Sequence, residues 1–167
     1  MTSVSVDLSR QGTTQLGSWP IDDEWFLELA QQTLQEIGVA NAELSAVLCD
    51  DGFILPLNRN YRGKDKPTDV LSFPLLELTI PENLPSNIGP EGAPPLLLGD
   101  VIISLETASN QAHSRGHSLQ HEVAILLVHG VFHLLGHDHE EDDEAAAMEA
   151  RETEVFNRLR AKGAVGD

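Results

Sequence analysis

Residues 123–139 read VAILLVHGVFHLLGHDH, and this stretch decides both the fold and the candidate chemistry of the chain. Its apolar first half predicts a buried helix that continues through His129 and His133. Because a helix turns about 100° per residue, these two imidazoles project from one face, one turn apart. That spacing suits two nitrogen ligands of a single metal ion. Gly136 then offers the helix an end, after which the chain can bring His139 back as a third ligand.

Two simpler interpretations compete with a metal site. A histidine pair can arise by chance, and a histidine on an apolar face is usually a hydrogen-bonded core residue. Two imidazoles one turn apart in an apolar segment are costly to bury without partners, and Gly130 and Gly136 weaken the helix where ligands need a close approach and a turn. Three protein ligands leave a tetrahedral position open, which is typical of catalytic zinc. We therefore predict one zinc ion, or another divalent transition metal, per chain.

Two acidic residues are candidates to orient the ligands. Asp138 could hold a ligand imidazole or simply end the helix by bonding to its backbone. Glu122 lies about two turns before His129 on the same face, so it could reach the site or remain a solvated acid at the helix start. Three other histidines are expected at the surface near a helix junction: His113, His117 and His121.

The remaining sequence predicts an α+β fold, with about four strands in a mixed sheet, five to six helices, and the metal site on a central helix and the turn after it. One helix is expected to bury Ile54, Leu57 and Tyr61. Strands are predicted at 4–6, 43–49, 70–73 and 100–103, the last of them central, and helices after the cap Asp22 and at 53–61, 104–114, 118–135 and 144–159.

Length and composition predict a single domain over 1–167. The segment 78–97 holds five of the nine prolines and is interpreted as a loop insertion, and 161–167 as a flexible tail. A single cysteine, Cys49, and the lack of a charged-then-apolar leader favour the cytoplasm. The longest apolar stretch is far shorter than the roughly 20 residues of a membrane span, so no membrane is expected.

The net charge of −17 argues against a nucleic-acid partner, but the positive charges are not evenly spread. Four of the ten lysines and arginines fall within eight positions: Arg59, Arg62, Lys64 and Lys66. Such a basic stripe on an acidic body would concentrate phosphate binding at one place. The alternative is a solvated loop without a ligand.

At this point the sequence resembles a known family, the YbeY endoribonucleases of rRNA maturation. The motif His-Gly-x-x-His-x-x-Gly-x-Asp-His at 129–139 matches the family signature, and the stretches 58–74 and 98–103 match its other motifs. Met148 and Glu149, in the acidic C-terminal region, also look like the family.

The resemblance implies a single-strand-specific, metal-dependent endoribonuclease that matures the 3′ end of small-subunit rRNA and serves ribosome quality control. It implies His129, His133 and His139 as metal ligands, with His129 and Arg62 as catalytic residues. Single-stranded rRNA, small ribosomal subunit proteins and the assembly GTPase Era are the implied partners.

Two other functions compete with this one. A zinc peptidase also uses two helical histidines, but its H-E-x-x-H motif places a general-base glutamate where this chain has Gly130. A non-catalytic ribosome-assembly factor would use the metal for stability alone. Metal removal separates these alternatives, because a structural site should cost folding and a catalytic one should cost cleavage first.

Overall fold

The computed structural model describes residues 3–12, 19–39, 41–75, 95–136 and 142–165, with the side chains of 3 and 142–145 left aside. These residues form β1 (Ser3–Arg10), α1 (Asp23–Ile37), β2 (Asn41–Cys49), α2 (Asp51–Arg62), β3 (Val70–Pro74), β4 (Leu96–Ser104), α3 (Leu105–Arg115), α4 (Leu119–Leu134) and α5 (Asp142–Ala161).

The four described strands form one mixed sheet in the order β1-β2-β4-β3. The pairs β1–β2 and β2–β4 are parallel, whereas β3 runs antiparallel to β4 along one edge. With five helices in the described residues, this confirms the predicted α+β class. The expectation that β4 is central is also confirmed, and its apolar character follows from being covered on both faces.

The sheet separates two apolar clusters of unequal size. The larger one lies between the sheet and the helices α1, α3, α4 and α5, and includes Val101 and Ile103 of β4. Ile102, between them in sequence, points the opposite way and packs with Ile54 of α2 in the smaller cluster. Alternation along a strand therefore assigns α2 to one face and the histidine helix α4 to the other.

Helix ends agree with ordinary capping chemistry. The Ser118 hydroxyl accepts a hydrogen bond from the His121 amide at 3.1 Å, which starts α4, and Asp50 accepts from the Phe53 amide at 2.9 Å, which starts α2. Gly63 ends α2 with a φ of 69°, a left-handed conformation that glycine adopts without strain. The chain therefore turns sharply just after Arg62.

The buried side of α2 differs from the prediction. Tyr61 was expected in the core but is 68 % exposed, whereas Asn58 is 1 % exposed. The reason is a polar contact: the Asn58 side-chain amide donates to the Lys66 carbonyl oxygen at 2.8 Å, which ties the segment after the helix to the helix itself. Tyr61 stays on the face of Ile54, seven residues before it, but it lies in the last turn of α2, where its ring meets that of Phe73 and remains largely exposed.

Two predicted segment boundaries also change. Leu96 and Leu97 belong to β4, so the predicted loop 78–97 ends two residues too late, and its positions up to 94 lie outside the described residues. In the predicted tail, Val165 is 5 % exposed and the Ala164 carbonyl oxygen accepts a hydrogen bond from Trp25 Nε1 at 3.0 Å. Apolar burial therefore holds the described part of this tail against α1.

No helix in the described ranges is long and apolar enough to cross a bilayer.

Candidate metal centre and cavity

The histidine pair lies in the last turns of α4, with both rings turned toward each other. The Nε2 atoms of His129 and His133 are 3.1 Å apart, and the rings are nearly perpendicular at 75°. Two nitrogens at about 2.0–2.1 Å from a tetrahedral zinc ion would be about 3.3 Å apart. The pair therefore fits two positions in the coordination shell of one zinc ion.

A carboxylate on α5 fixes the orientation of His129. Glu152 Oε1 lies 2.5 Å from Nδ1 of His129, and the Glu152 side chain is 15 % exposed. With Nδ1 protonated and donating to this carboxylate, the lone pair of Nε2 is directed to the position shared with His133. Hydrogen bonding of this kind both aligns a ligand imidazole and increases its basicity.

The pKa of His129 reflects opposing influences. Burial lowers it by disfavouring the charged ring, but the hydrogen bond and negative charge of Glu152 raise it, with a further rise from Asp69. The positive charge of Arg62 acts in the opposite direction. The net result is a pKa above the ordinary value for histidine. A metal ion at this ring would therefore have to compete with protons.

Sequence reasoning missed Glu152, although a signal for it was present. Met148, Val155 and Leu159 form the predicted inward face of α5 and are buried. Glu152 is four residues after Met148 and three before Val155, so it belongs to the same face. An acid on an apolar helix face needs a partner, since burying an unpaired carboxylate is costly. That exception to the pattern indicated a polar partner for Glu152, and the structure shows that the partner is His129 of α4.

The predicted third ligand, His139, and Asp138 lie outside the described residues. Within the described ranges, no group of three His, Cys, Asp or Glu side chains could hold a metal ion. The full ligand set therefore stays a prediction.

The side chain of Glu122 is fully buried at the start of α4. One carboxylate oxygen accepts from Arg115 Nη1 at 2.5 Å and the other contacts Nε2 of His117, whose ring stacks on His121 with centroids 4.2 Å apart. These contacts join the end of α3 to α4, so both carboxylate oxygens serve the helix junction. Two of the histidines expected at the surface, His117 and His121, are partly buried there, whereas His113 is exposed.

A cavity of about 1110 Å³ opens beside the histidine pair and crosses the edge strand β3. Three of the four predicted cationic residues line it together with His129 and His133: Arg62, Lys64 and Lys66. Arg59 instead directs its guanidinium toward Asp65, with a distance of 3.4 Å from Nη1 to Oδ1. The structure thus brings most of the predicted basic stripe, but not Arg59, to the histidines.

Asp69 is another residue of this cavity to which the sequence assigned no role. Its Oδ1 accepts a hydrogen bond from the Val70 amide at 2.7 Å, and its Oδ2 accepts from Gln111 at 3.2 Å. These bonds hold a negative charge near His129, which explains the contribution of Asp69 to the raised pKa of that ring. Its place in a quoted sequence motif was the only earlier signal.

Gly130 lets α4 approach the sheet closely enough to build this cavity. A Cβ atom at this position would lie 2.8 Å from Val101 Cγ1 and 3.2 Å from Ser72 Oγ. The Ser72 hydroxyl also donates to the Gly130 carbonyl oxygen at 2.9 Å. Hydrogen bonding and the missing side chain together hold His129 beside β3. Two imidazoles and three cations line one cavity, and the carboxylate of Glu152 orients His129 from outside that lining. This arrangement suits metal-assisted chemistry on an anionic substrate.

Comparisons with known proteins place the chain in a family. A family model described as Endoribonuclease YbeY matches residues 13–160. A protein from Pelotomaculum thermopropionicum named Endoribonuclease YbeY is 50% identical over 131 residues, covering 78% of this chain and 81% of the relative. One of the same name from Sinorhizobium medicae is 37% identical and covers 100% of this chain and 98% of its own length. These matches confirm the resemblance drawn from the sequence.

One solved structure supports the fold. The solution structure of TM1509 from Thermotoga maritima matches with a TM-score of 0.52 at 20% identity, covering 95% of this chain and 94% of the other. At that identity the likeness concerns the fold alone.

Proposed function

The chain belongs to the YbeY family of endoribonucleases and is a hydrolase acting on RNA, and from that premise we propose that it is a metal-dependent enzyme that cleaves single-stranded ribosomal RNA. We further propose that the enzyme matures the 3′ end of small-subunit rRNA and serves ribosome quality control. The observation that carries the proposal is the convergence of two Nε2 atoms, 3.1 Å apart, in a cavity lined by Arg62, Lys64 and Lys66.

The proposed cofactor is one zinc ion held by His129, His133 and His139. When bound, zinc supplies Lewis-acid chemistry that activates a nucleophilic oxygen and offsets negative charge at the phosphate. Glu152 keeps the proton of His129 at Nδ1, so that Nε2 remains a lone-pair donor. Arg62 offers a planar pair of N–H donors to the phosphate that gains charge in the transition state. Lys64 and Lys66 hold neighbouring phosphates as point charges.

The acidic surface bears on how the enzyme meets its substrate. A body with a net charge of −17 repels RNA, and only a short cationic segment attracts it. We propose that much of the targeting comes from protein contacts on the small ribosomal subunit and with the GTPase Era, both suggested by the family resemblance. A cytoplasmic location, where rRNA and a free thiol such as Cys49 coexist, belongs to the same proposal.

The peptidase alternative lacks a carboxylate at the position that the peptidase motif gives to its general base. In a peptidase, the residue after the first helical histidine carries the catalytic carboxylate. Here a side chain on Gly130 would collide with Val101 of β4 before it reached the cavity. The local packing therefore disfavours a carboxylate at that position.

The test is incubation of the zinc-loaded protein with single-stranded RNA, duplex RNA and casein, each with and without chelator. We expect cleavage of single-stranded RNA only, and its loss with chelator while circular dichroism stays unchanged. His113→Ala is the matched control, because this histidine is exposed at the end of α3, and it should cleave like the wild type.

Each alternative has its own signature in this assay. Casein cleavage would support the peptidase. Unfolding by chelator, with no cleavage of any RNA, would support the assembly factor.

A further inference from the structure

An aromatic pair, the exposed Tyr61 and the half-buried Phe73, lines the cavity. Tyr61 is 68 % exposed, and its ring centroid is 4.4 Å from that of Phe73, which packs partly on the smaller core. Both rings line the same cavity as Arg62 and the histidine pair. Among the described residues only two other large apolar side chains are comparably exposed, Leu75 and Leu97. Such exposure of an aromatic ring beside a functional site indicates a binding surface.

The position of the pair follows from the alternation of β3. Ser72 faces α4 and donates to the Gly130 carbonyl oxygen, so the next residue, Phe73, faces α2 on the other side of the sheet. Because β3 is an edge strand, a ligand can pass around its edge from one side to the other. The histidines then lie at one end of this path and the aromatic pair at the other, with Arg62 next to Tyr61 in sequence.

The surrounding charge identifies the class of ligand. Lys64 and Lys66 line the cavity with Tyr61, and aromatic rings among cations are the usual surface for unpaired nucleic acid, where the rings stack on bases and the cations meet phosphates. Stacking also provides affinity that does not depend on charge, which a chain with a net charge of −17 needs. A protein partner that bound an apolar patch would not require Arg62, Lys64 and Lys66 in the same cavity.

We propose that Tyr61 and Phe73 form a stacking platform for one unpaired nucleobase of the substrate, while Arg62 binds a phosphate beside it. This inference rests on the proposed function, since it takes single-stranded RNA as the substrate. A base held in a duplex has both faces covered and cannot reach the platform. The platform therefore contributes to selection of single strands over duplexes.

Tyr61 is the residue to change, because its exposure lets it be truncated without loss of the core. Tyr61→Ala should raise the KM for single-stranded RNA by about 5- to 100-fold, the equivalent of one lost base stack, with kcat little changed. Tyr61→Phe keeps the ring that stacks and should raise the KM much less than Tyr61→Ala does. The matched control is Leu97→Ala, which removes an exposed apolar side chain outside the cavity lining and should leave KM unchanged.

A fluorescent base identifies stacking directly. With 2-aminopurine placed at successive positions of a short RNA and rapid mixing before cleavage, one position should be quenched by the wild type and by Tyr61→Phe, but not by Tyr61→Ala. An abasic site at that position should reproduce the KM of Tyr61→Ala. Combining the two changes should cost no more than either alone, since both remove the same contact.

The outcomes separate this inference from the proposed function. If the wild type cleaves no RNA, the proposed function fails, and the quenching measurement still decides whether the platform exists. If the wild type cleaves RNA but Tyr61→Ala keeps its KM and its quenching, the stacking inference alone is overturned. Unchanged RNA kinetics with weaker co-sedimentation with small ribosomal subunits would assign the patch to a protein contact instead, and would also overturn it.

Discussion

The two sides of the cavity are built in opposite ways. The histidine pair is carried by α4, a helix with buried residues on most of its surface, and is braced by Glu152 from α5 and by Ser72 from β3. The cationic side follows the end of α2, where Tyr61 and Arg62 are exposed and the next segment is held through Asn58. Core packing therefore sets the position of the two histidines proposed as metal ligands, whereas the cationic side chains lie on an exposed surface with few core contacts.

The largest effect is expected on the side of the cavity that carries His129 and His133. His133→Ala removes one of the two converging nitrogens, so zinc occupancy should fall to background. RNA cleavage should fall by more than about 100-fold, which exceeds the loss expected when a residue that only hydrogen-bonds to a metal ligand is changed. Elemental analysis together with circular dichroism checks the metal and the fold. Full zinc occupancy in the folded variant would rule out this histidine as a ligand.

On the exposed side, Arg62→Lys should keep zinc and the fold but reduce RNA cleavage by about 10- to 100-fold, because an ammonium group cannot offer two parallel donors to a phosphate. Arg59→Lys is the matched control, since its guanidinium faces Asp65, and its effect should be milder. Measurement of kcat and KM for both proteins decides the matter. Near wild-type kinetics for both would show that Arg62 has no special role.

Glu152→Gln tests whether zinc binding by the histidine pair depends on the contact between Glu152 and His129. Loss of this carboxylate should weaken zinc affinity by about 10- to 100-fold while leaving the helices in place. Competition with a fluorescent chelator measures the affinity, and Glu154→Gln, on the exposed side of α5, is the control. Equal affinities in the two variants would mean that Glu152 does not position His129.

Glu152→Gln should also change how zinc affinity and the stability of the metal-free fold depend on pH. In the metal-free wild type the pKa of His129 is raised, so zinc affinity should decline as the pH falls through that raised value. The ion pair stabilises the metal-free fold fully below the unfolded pKa of histidine, and this stability is lost as pH rises through the folded pKa. Glu152→Gln should move both transitions to lower pH, which NMR titration of the His129 ring would detect. An unmoved midpoint would contradict the assigned cause.

The smallest effect concerns salt. Because only a few cations line the cavity, the logarithm of the RNA binding constant should fall with the logarithm of salt concentration at a slope of about −2 to −3, from roughly −0.7 per phosphate contacted. Fluorescence titration at several salt concentrations measures it. A slope near −6, or nanomolar binding to naked RNA at physiological salt, would require a larger basic surface and would remove the need for partner proteins.

Local periodicity was sufficient for much of the fold. The apolar run before His129, the strand patterns and the capping residues predicted the order and type of every described element, since each signal depends on near neighbours in the chain. The point at which the buried face of α2 ends was not predictable in this way. Ile54 is buried and Leu57 partly buried as expected, but Tyr61 in the last turn is exposed. Asn58 is buried instead, and its side-chain amide donates to the Lys66 carbonyl oxygen.

The amino-acid sequence was enough to show that His129 and His133 share a helix face and that cations cluster at 59–66, because spacing along one element fixes direction. It could not show which cations line the cavity with the histidines, that Glu152 orients His129 from 23 positions away, or that Glu122 serves the helix junction. Such contacts depend on how separate elements pack against one another. A pattern within one element reports which side faces inward, but not which side chain of another element it meets there.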